Sequence, residues 1–217
     1  MSNKMLGLGR LKAIDERDKN YPLRLVIPPT TVRSKRFWWT NGYWGNQGNN
    51  PYCVGYGWAH WIEDGPITHP GQIDPVMIYK EAQKVDEWPG EDYEGTSVRA
   101  GAKVLQSKGL ISNYYWATII DEITRAILEV GPVTVGTDWY DGMFEPDSKG
   151  IIKPSGSIAG GHCYLLDGIN MKTGLLRLKN SWGRDWGKKG FALISLEDFS
   201  YLLSAEGEAC LATEVKT

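Results

Sequence analysis

The sequence predicts an α+β protein in which a helical half precedes a sheet half. Helix signals, with capping residues and apolar side chains at helical spacing, dominate residues 53–130. Short runs of strand character, separated by glycine-rich turns, dominate residues 132–195. The groove between two such halves is the natural place for a binding or catalytic site.

Capping residues and apolar spacing define the predicted helices. Val54, Trp58, Trp61 and Ile62 lie at helical spacing and predict a helix that starts near Cys53. Three further predicted helices have recognisable start or stop residues: one from Asp74-Pro75 to about Val85, one capped by Thr96 or Ser97 and ended by Gly109, and one from Asp121 to Gly131-Pro132.

The predicted strands are short and lie in the second half of the chain, at residues 133–135, 162–166, 175–178 and 191–194. Residues 1–45, in contrast, show little periodicity. Turns at Pro28-Pro29 and Asn41-Gly42 predict that this N-terminal part is a strap running over a surface.

Composition and charge exclude several classes of partner. The chain has 24 basic and 26 acidic residues, and its net charge of −2 provides no basic excess for nucleic acid. No apolar run approaches the roughly 20 residues that span a bilayer. The three cysteines are too few for a disulfide scaffold and lack the close spacing of a zinc site. We therefore expect no nucleic-acid, membrane, metal or cofactor partner, and a reducing compartment.

Cys53 is the first candidate for chemistry. It follows a polar, turn-forming stretch at residues 46–52 and starts a predicted helix. The dipole and free N–H groups of a helix N-terminus favour a thiolate over a thiol. The alternative is a small buried hydrophobic residue, which most free cysteines are.

His162 is the second candidate. It follows Gly160-Gly161 at the entrance to a predicted strand, where glycines let another backbone come close. A histidine in a strand can also be a satisfied core residue. Of the three histidines, His60 lies inside a predicted helix and His69 in a Pro/Gly loop, so His162 is the best-placed base.

Asn180 is the third candidate, because it ends a predicted strand and can accept a hydrogen bond from an imidazole N–H. Trp182 would shield that bond from water. The alternative is a Gly/Trp turn that only packs.

These elements together resemble the papain family of cysteine peptidases. The resemblance rests on three features: Gln47-Gly48 six residues before Cys53, Gly161-His162 entering a strand, and Asn180-Ser181-Trp182-Gly183 followed by Trp186-Gly187. It covers about residues 46–195 and is similar to compact prokaryotic or viral members without disulfides.

The resemblance implies one papain-like catalytic domain over residues 1–217. Its helical lobe would span about 46–118, and its β-barrel-like lobe about 119–217 together with the strap 1–45. The active site would lie in the cleft between the lobes. Residues 1–45 look too short for an inhibitory pro-segment, and their lack of a long apolar stretch predicts a cytoplasmic protein. A virion-associated or host-targeted protein also fits.

The resemblance also implies roles for single residues. Cys53 would be the nucleophile, His162 its proton partner and Asn180 the residue that orients His162. The Gln47 amide and the Cys53 N–H would form the oxyanion hole; an exposed loop glutamine is the alternative for Gln47. The resemblance further implies a monomer that hydrolyses peptide or protein substrates through a thioester intermediate.

The residues that set substrate preference are expected beside this site. Gly95, Gly136, Gly161 and Cys163 would border a roomy pocket on the acyl side of the cut, and Trp182 would also contact substrate. Cys163, on the strand face opposite His162, is a pocket wall or a core residue, and Cys210 is structural.

Two other functions remain open. One is a Cys-His amidase acting on peptidoglycan stem peptides, and the other is a catalytically inactive papain-like binding module.

Overall fold

The computed structural model describes residues 6–27, 36–39, 45–66, 68–69 and 73–214. The turns predicted at Pro28-Pro29 and Asn41-Gly42 lie outside these ranges. Within them, no helix is both long and apolar enough to cross a lipid bilayer.

Five α-helices occur in the described ranges: α1 (Cys53–Asp64), α2 (Pro75–Ala82), α3 (Val98–Ser107), α4 (Ile120–Glu129) and α5 (Leu196–Ser204). Asp74 and Ser97 cap α2 and α3, as their sequence positions predict, by accepting hydrogen bonds from backbone N–H groups. The helix predicted to start at Asp121 is present, with its start one residue earlier. The helix already begins at Ile120, and the Asp121 carboxylate lies in the first turn, where it still faces the positive end of the helix dipole.

The strands form one antiparallel sheet, which confirms the α+β class. Its members are β1 (Arg36–Trp38), β2 (Asn113–Trp116), β3 (Val133–Tyr140), β4 (Ile158–Asn170), β5 (Leu175–Lys179), β6 (Phe191–Ser195) and β7 (Glu208–Thr213). The order is β2-β7-β3-β4-β5-β6, and β1 pairs with β4.

Strand β4 lies between two hydrophobic cores. One core packs the sheet against α4 and α5 and receives Tyr164 and Leu166. The other packs α1, α2 and α3 against the sheet and receives Cys163 and Leu165. Because side chains alternate along a strand, consecutive β4 residues point into different cores. The helices and the sheet thus meet along β4.

A buried ion pair joins the end of α1 to the end of β5. Lys179 Nζ lies 2.6 Å from Asp64 Oδ2, and both side chains are inaccessible to solvent. The pair links the helix that begins at Cys53 to the strand that leads into Asn180.

Candidate active site

Cys53 is the first residue of α1, as the apolar spacing predicts. Helix α1 approaches β4 closely because residue 57 is a glycine: a Cβ added there would lie 2.8 Å from Cys163 Sγ. At the start of the helix, the backbone of Cys163 lies close enough to the Cys53 thiol to lower its pKa, against the larger opposite effect of burial. The structure therefore places the thiol beside the residue that follows His162.

His162 is held on several sides. Its Nε2 lies 2.8 Å from Asn180 Oδ1, which also accepts a hydrogen bond of 2.8 Å from the Ser181 N–H. The Trp182 ring stacks on the imidazole at a centroid distance of 4.6 Å, and the Trp139 ring packs against it nearly edge-on at 4.9 Å. The imidazole is completely buried. The structure thus brings His162, Asn180 and Trp182 together.

Burial keeps the thiol and the imidazole neutral in this structure. It raises the pKa of Cys53 to about 12 and lowers the pKa of His162 to about 4, although the Asn180 hydrogen bond acts in the opposite direction on His162. Among the described residues His162 Nδ1 has no hydrogen-bond partner, so it makes no hydrogen bond to Cys53. The position of Cys53 at a helix N-terminus predicts a thiolate, whereas burial in this structure acts in the opposite direction and raises the pKa of the thiol.

The site is covered by residues 6–12, from the N-terminal part of the same chain, here called the cleft segment. It is extended backbone that hydrogen-bonds on both sides of the site. Gly7 N donates to Gly48 O at 2.9 Å and Gly9 N to Gly161 O at 3.0 Å, and Thr96 N donates to Gly9 O at 3.0 Å. Residues 1–45 were predicted to be a strap running over a surface; residues 6–12 of it are partly or fully buried and hydrogen-bond to both sides of the site.

One carbonyl group of the cleft segment binds Gln47, a predicted donor of the oxyanion hole. Gly7 O accepts hydrogen bonds from Gln47 Nε2 at 3.1 Å and from Trp182 Nε1 at 3.0 Å. Gln47 is buried, not an exposed loop residue. The Ser181 hydroxyl donates to Gln47 Oε1 and so orients the amide.

The three predicted pocket glycines all contact the cleft segment. A Cβ on Gly161 would lie 2.1 Å from Arg10 O, one on Gly95 would lie 2.6 Å from Gly9 O, and one on Gly136 would lie 2.9 Å from Arg10 Nε. Their missing side chains provide the space that the segment fills. Cys163 and Cys210 belong to the core that contains α1.

Three residues of the site were missed from the sequence. Trp139 continues the alternation of Val133 and Val135 in β3, so extending that strand would have placed it on one face with them. Ser181 lies inside the Asn-Ser-Trp-Gly element, but nothing local assigns it a partner. Glu208, which contacts Arg10, lies in β7, a strand without a local signal.

Comparisons with known proteins agree with this architecture. Residues 56–206 match the family model described as papain family cysteine protease, a range that includes His162 and Asn180 and begins after Cys53. The viral cathepsin of Antheraea pernyi nuclear polyhedrosis virus is 30% identical over 132 residues, which are 59% of this chain and 39% of that protein. Cathepsin B-like cysteine proteinase 6 of Caenorhabditis elegans is 23% identical over 170 residues, 69% of this chain and 44% of that protein.

Solved structures show the same fold at low sequence identity. Xylellain, a cysteine protease from Xylella fastidiosa, superposes with a TM-score of 0.75 at 18% identity, over 100% of this chain and 99% of that one. Procathepsin B S9 from Trypanosoma congolense gives 0.69 at 14% identity, over 99% and 87% of the two chains. The chain spans less than half the length of the two curated relatives, but the family model covers most of it. This chain belongs to the papain family of cysteine proteases.

Proposed function

We propose that this chain is a cysteine peptidase that hydrolyses peptide bonds through a thioester intermediate, with Cys53, His162, Asn180 and Gln47 as its catalytic residues. The observation that carries the proposal is that the site already holds a peptide. The backbone of the cleft segment lies between the loop before Cys53 and the strand of His162, with a carbonyl oxygen on Gln47. A substrate peptide would use the same backbone groups.

The reaction follows from the geometry of these groups. Cys53 Sγ adds to the carbonyl carbon, its proton goes to His162 Nδ1, and the oxyanion accepts hydrogen bonds from Gln47 Nε2 and the Cys53 N–H. The imidazolium then protonates the leaving amine as the C–N bond breaks. His162 next takes a proton from a water molecule as the water oxygen adds to the thioester carbon. The C–S bond then breaks, which releases the acid and leaves the Cys53 thiolate beside the imidazolium, whose proton returns to the sulfur. Asn180 binds Nε2 throughout, which leaves Nδ1 for the thiol and the water.

Catalysis requires the cleft segment to leave. While it is bound, burial favours neutral Cys53 and His162. Once water enters, desolvation decreases and the imidazolium stabilises the thiolate beside it. The covered structure is therefore a resting form of the proposed enzyme.

The proposal is tested by labelling with the thiol-directed epoxide E-64. Gly7→Ala adds a methyl group 2.1 Å from Asn50 O, and we expect this clash to force the segment out of the cleft; it is called the open-cleft variant below. We expect stoichiometric attachment at Cys53 in the open-cleft variant and slower attachment in the wild type. Ile14→Ala, at a side chain 64% exposed, is the control and should label like the wild type.

The same experiment separates the alternatives. If Cys53 stays unlabelled in the open-cleft variant, the chain is a binding module and not an enzyme. If Cys53 is labelled but only peptidoglycan stem peptides are hydrolysed, the chain is the amidase. Cleavage of ordinary peptides supports the peptidase.

Asn180→Ala in the open-cleft variant is expected to lower kcat by about 10- to 100-fold with little change in KM. The reason is that Asn180 orients His162 through one hydrogen bond and does not bind substrate; such a bond contributes about 1–3 kcal/mol. Single-turnover kinetics and thermal unfolding should show a slower chemical step at a near-native melting temperature. An unchanged kcat would mean that another residue orients His162.

We also propose a reducing, cytoplasmic place of action for a monomeric chain, with peptides or proteins as its partners. All three cysteines are free, as is usual for proteins that work in such a compartment. Similarity to a viral cathepsin keeps virion association and delivery to a host open as alternatives.

A further inference from the structure

Trp139 is brought to His162 by the pairing of β3 with β4. His162 faces Thr137 across the two strands, and Trp139 lies two residues farther along β3, on the same face as Thr137. Diagonal neighbours at this distance are within reach of long aromatic side chains. The Trp139 indole is completely buried, and its ring centroid lies 4.9 Å from that of the imidazole. The proposed base therefore has a second tryptophan beside it, from a different strand than the loop that carries Trp182.

His162, Trp139 and Trp182 contact one another and are here called the ring triangle. The His162 and Trp182 rings are stacked, with their planes 23° apart and their centroids 4.6 Å apart. Trp139 stands nearly perpendicular to both, at 75° to the His162 ring and 84° to the Trp182 ring, with the Trp182 centroid 5.1 Å away. Stacked and edge-on contacts are the two favourable arrangements of aromatic rings. The imidazole is thus held by one contact of each kind.

The two contacts restrict different motions of the imidazole. A ring stacked on one face resists tilting, but the imidazole can still slide within its own plane. A ring packed edge-on resists that sliding. Asn180 binds only Nε2, and among the described residues Nδ1 has no hydrogen-bond partner, so packing has to set the direction of Nδ1. A displacement of about 1 Å from the productive geometry can lower a rate by about 100-fold.

The Trp139 indole is not the side chain that stability alone would favour. Its Nε1 is buried and has no hydrogen-bond partner within the part of the chain that the structure describes. An unpaired buried donor destabilises the folded chain, and each such group in a structure calls for an explanation. Phenylalanine would fill much of the space without that donor. The larger ring, which reaches both His162 and Trp182, supplies the explanation.

We propose that Trp139 is a positioning residue that keeps Nδ1 of His162 directed at Cys53, by blocking the sliding motion that the stack with Trp182 leaves open. This inference rests on the proposed peptidase function. Trp139 acts through His162 and not by contact with substrate, because its side chain is completely buried.

The test replaces two tryptophans of the same hydrophobic core by leucine in the open-cleft background. Trp139 contacts His162, whereas the ring contacts of Trp186 are with Trp182 and Trp139, which makes Trp186→Leu the matched control. Both variants should lower the melting temperature, because each removes a buried indole. Only Trp139→Leu should lower kcat on a fluorogenic peptide, by about 10- to 100-fold with little change in KM. Trp139→Phe should recover part of that kcat.

A second measurement reports the imidazole directly and needs no turnover. The chain has three histidines, so a ¹H–¹⁵N spectrum of the imidazole rings contains few signals, and a His162→Gln variant identifies the one of His162. In Trp139→Leu we expect this signal to broaden or split, because the ring exchanges between positions. In Trp186→Leu it should match the open-cleft parent. A purely structural role of Trp139 would leave the two variants alike.

The outcomes separate this inference from the proposed function. Equal losses of kcat in the two leucine variants, or a His162 signal that Trp139→Leu leaves unchanged, would overturn the positioning role and leave the peptidase intact. If Trp139→Leu does not fold, Trp139→Phe replaces it in both measurements, and values equal to those of the open-cleft parent would overturn the role. No cleavage by the parent together with an unlabelled Cys53 would overturn the proposed function, while the His162 signal would still decide whether Trp139 fixes the ring.

Discussion

Cys53→Ala in the open-cleft background is expected to lower kcat for peptide hydrolysis by about a million-fold, to the level of background cleavage. The thiol forms the covalent bond to the acyl group, and removing the nucleophile of residues that act as a unit typically has an effect of this size. His162 and Gln47 keep their partners, so the melting temperature should change little. The measurement pairs kcat and KM on a fluorogenic peptide with thermal unfolding.

The other two cysteines provide matched controls. Cys210→Ala removes a thiol from the same hydrophobic core and should retain most of the activity. Cys163→Ala removes the side chain next to His162 but keeps the Cys163 backbone, which lies beside the Cys53 thiol. If Cys163→Ala abolished turnover while Cys53→Ala kept it, the nucleophile would be misassigned.

Lys179→Met is expected to lower the free energy of unfolding by about 3–5 kcal/mol, because it removes the cation from a buried ion pair and leaves a carboxylate in the core. Lys179 lies 2.6 Å from Asp64, with neither side chain exposed. The pair joins α1 to the strand before Asn180, so the variant should also misplace Cys53 relative to His162. The free energy of unfolding, measured with a denaturant, and kcat/KM should both be lower than in the parent chain.

The double variant Asp64→Leu with Lys179→Met tests the cause of that loss. Replacing both charges with apolar groups of similar size is often neutral or stabilising, because neither charge is then left buried. We expect the double variant to be clearly more stable than Lys179→Met alone. Equal stability of the two variants would mean that the loss comes from altered packing and not from burying the Asp64 charge without Lys179.

The sequence predicted the parts of the site that depend on local signals. Asp74 and Ser97 predict the starts of α2 and α3 because N-capping depends only on neighbouring residues. Asn180 directly follows β5, where the end of a strand run placed it. Asp121 shows the limit of this reasoning: the helix starts one residue earlier, at Ile120, so an acidic residue alone does not mark the first residue of a helix.

Long-range contacts could not be predicted. Gly9 hydrogen-bonds to Gly161, and Arg10 to Glu208, although most of the chain separates the partners. No local sequence pattern around these residues predicts either contact. The protonation state of Cys53 depends on the same contacts. Position at a helix N-terminus predicted a thiolate, whereas the burial produced by the folded chain raises the pKa of the thiol.

The tight seating of residues 6–12 has a consequence for how the chain survives other proteases. Trypsin cuts after arginine in extended, accessible backbone, but Arg10 is held against β4 and its side chain is buried. The Arg10–Leu11 bond is therefore hidden from trypsin until the segment detaches. When detachment is fast compared with cutting, the rate of that single cut reports the fraction of molecules whose segment is released. Mass spectrometry of this cleavage would therefore measure how often the segment is released, without any substrate of the proposed peptidase.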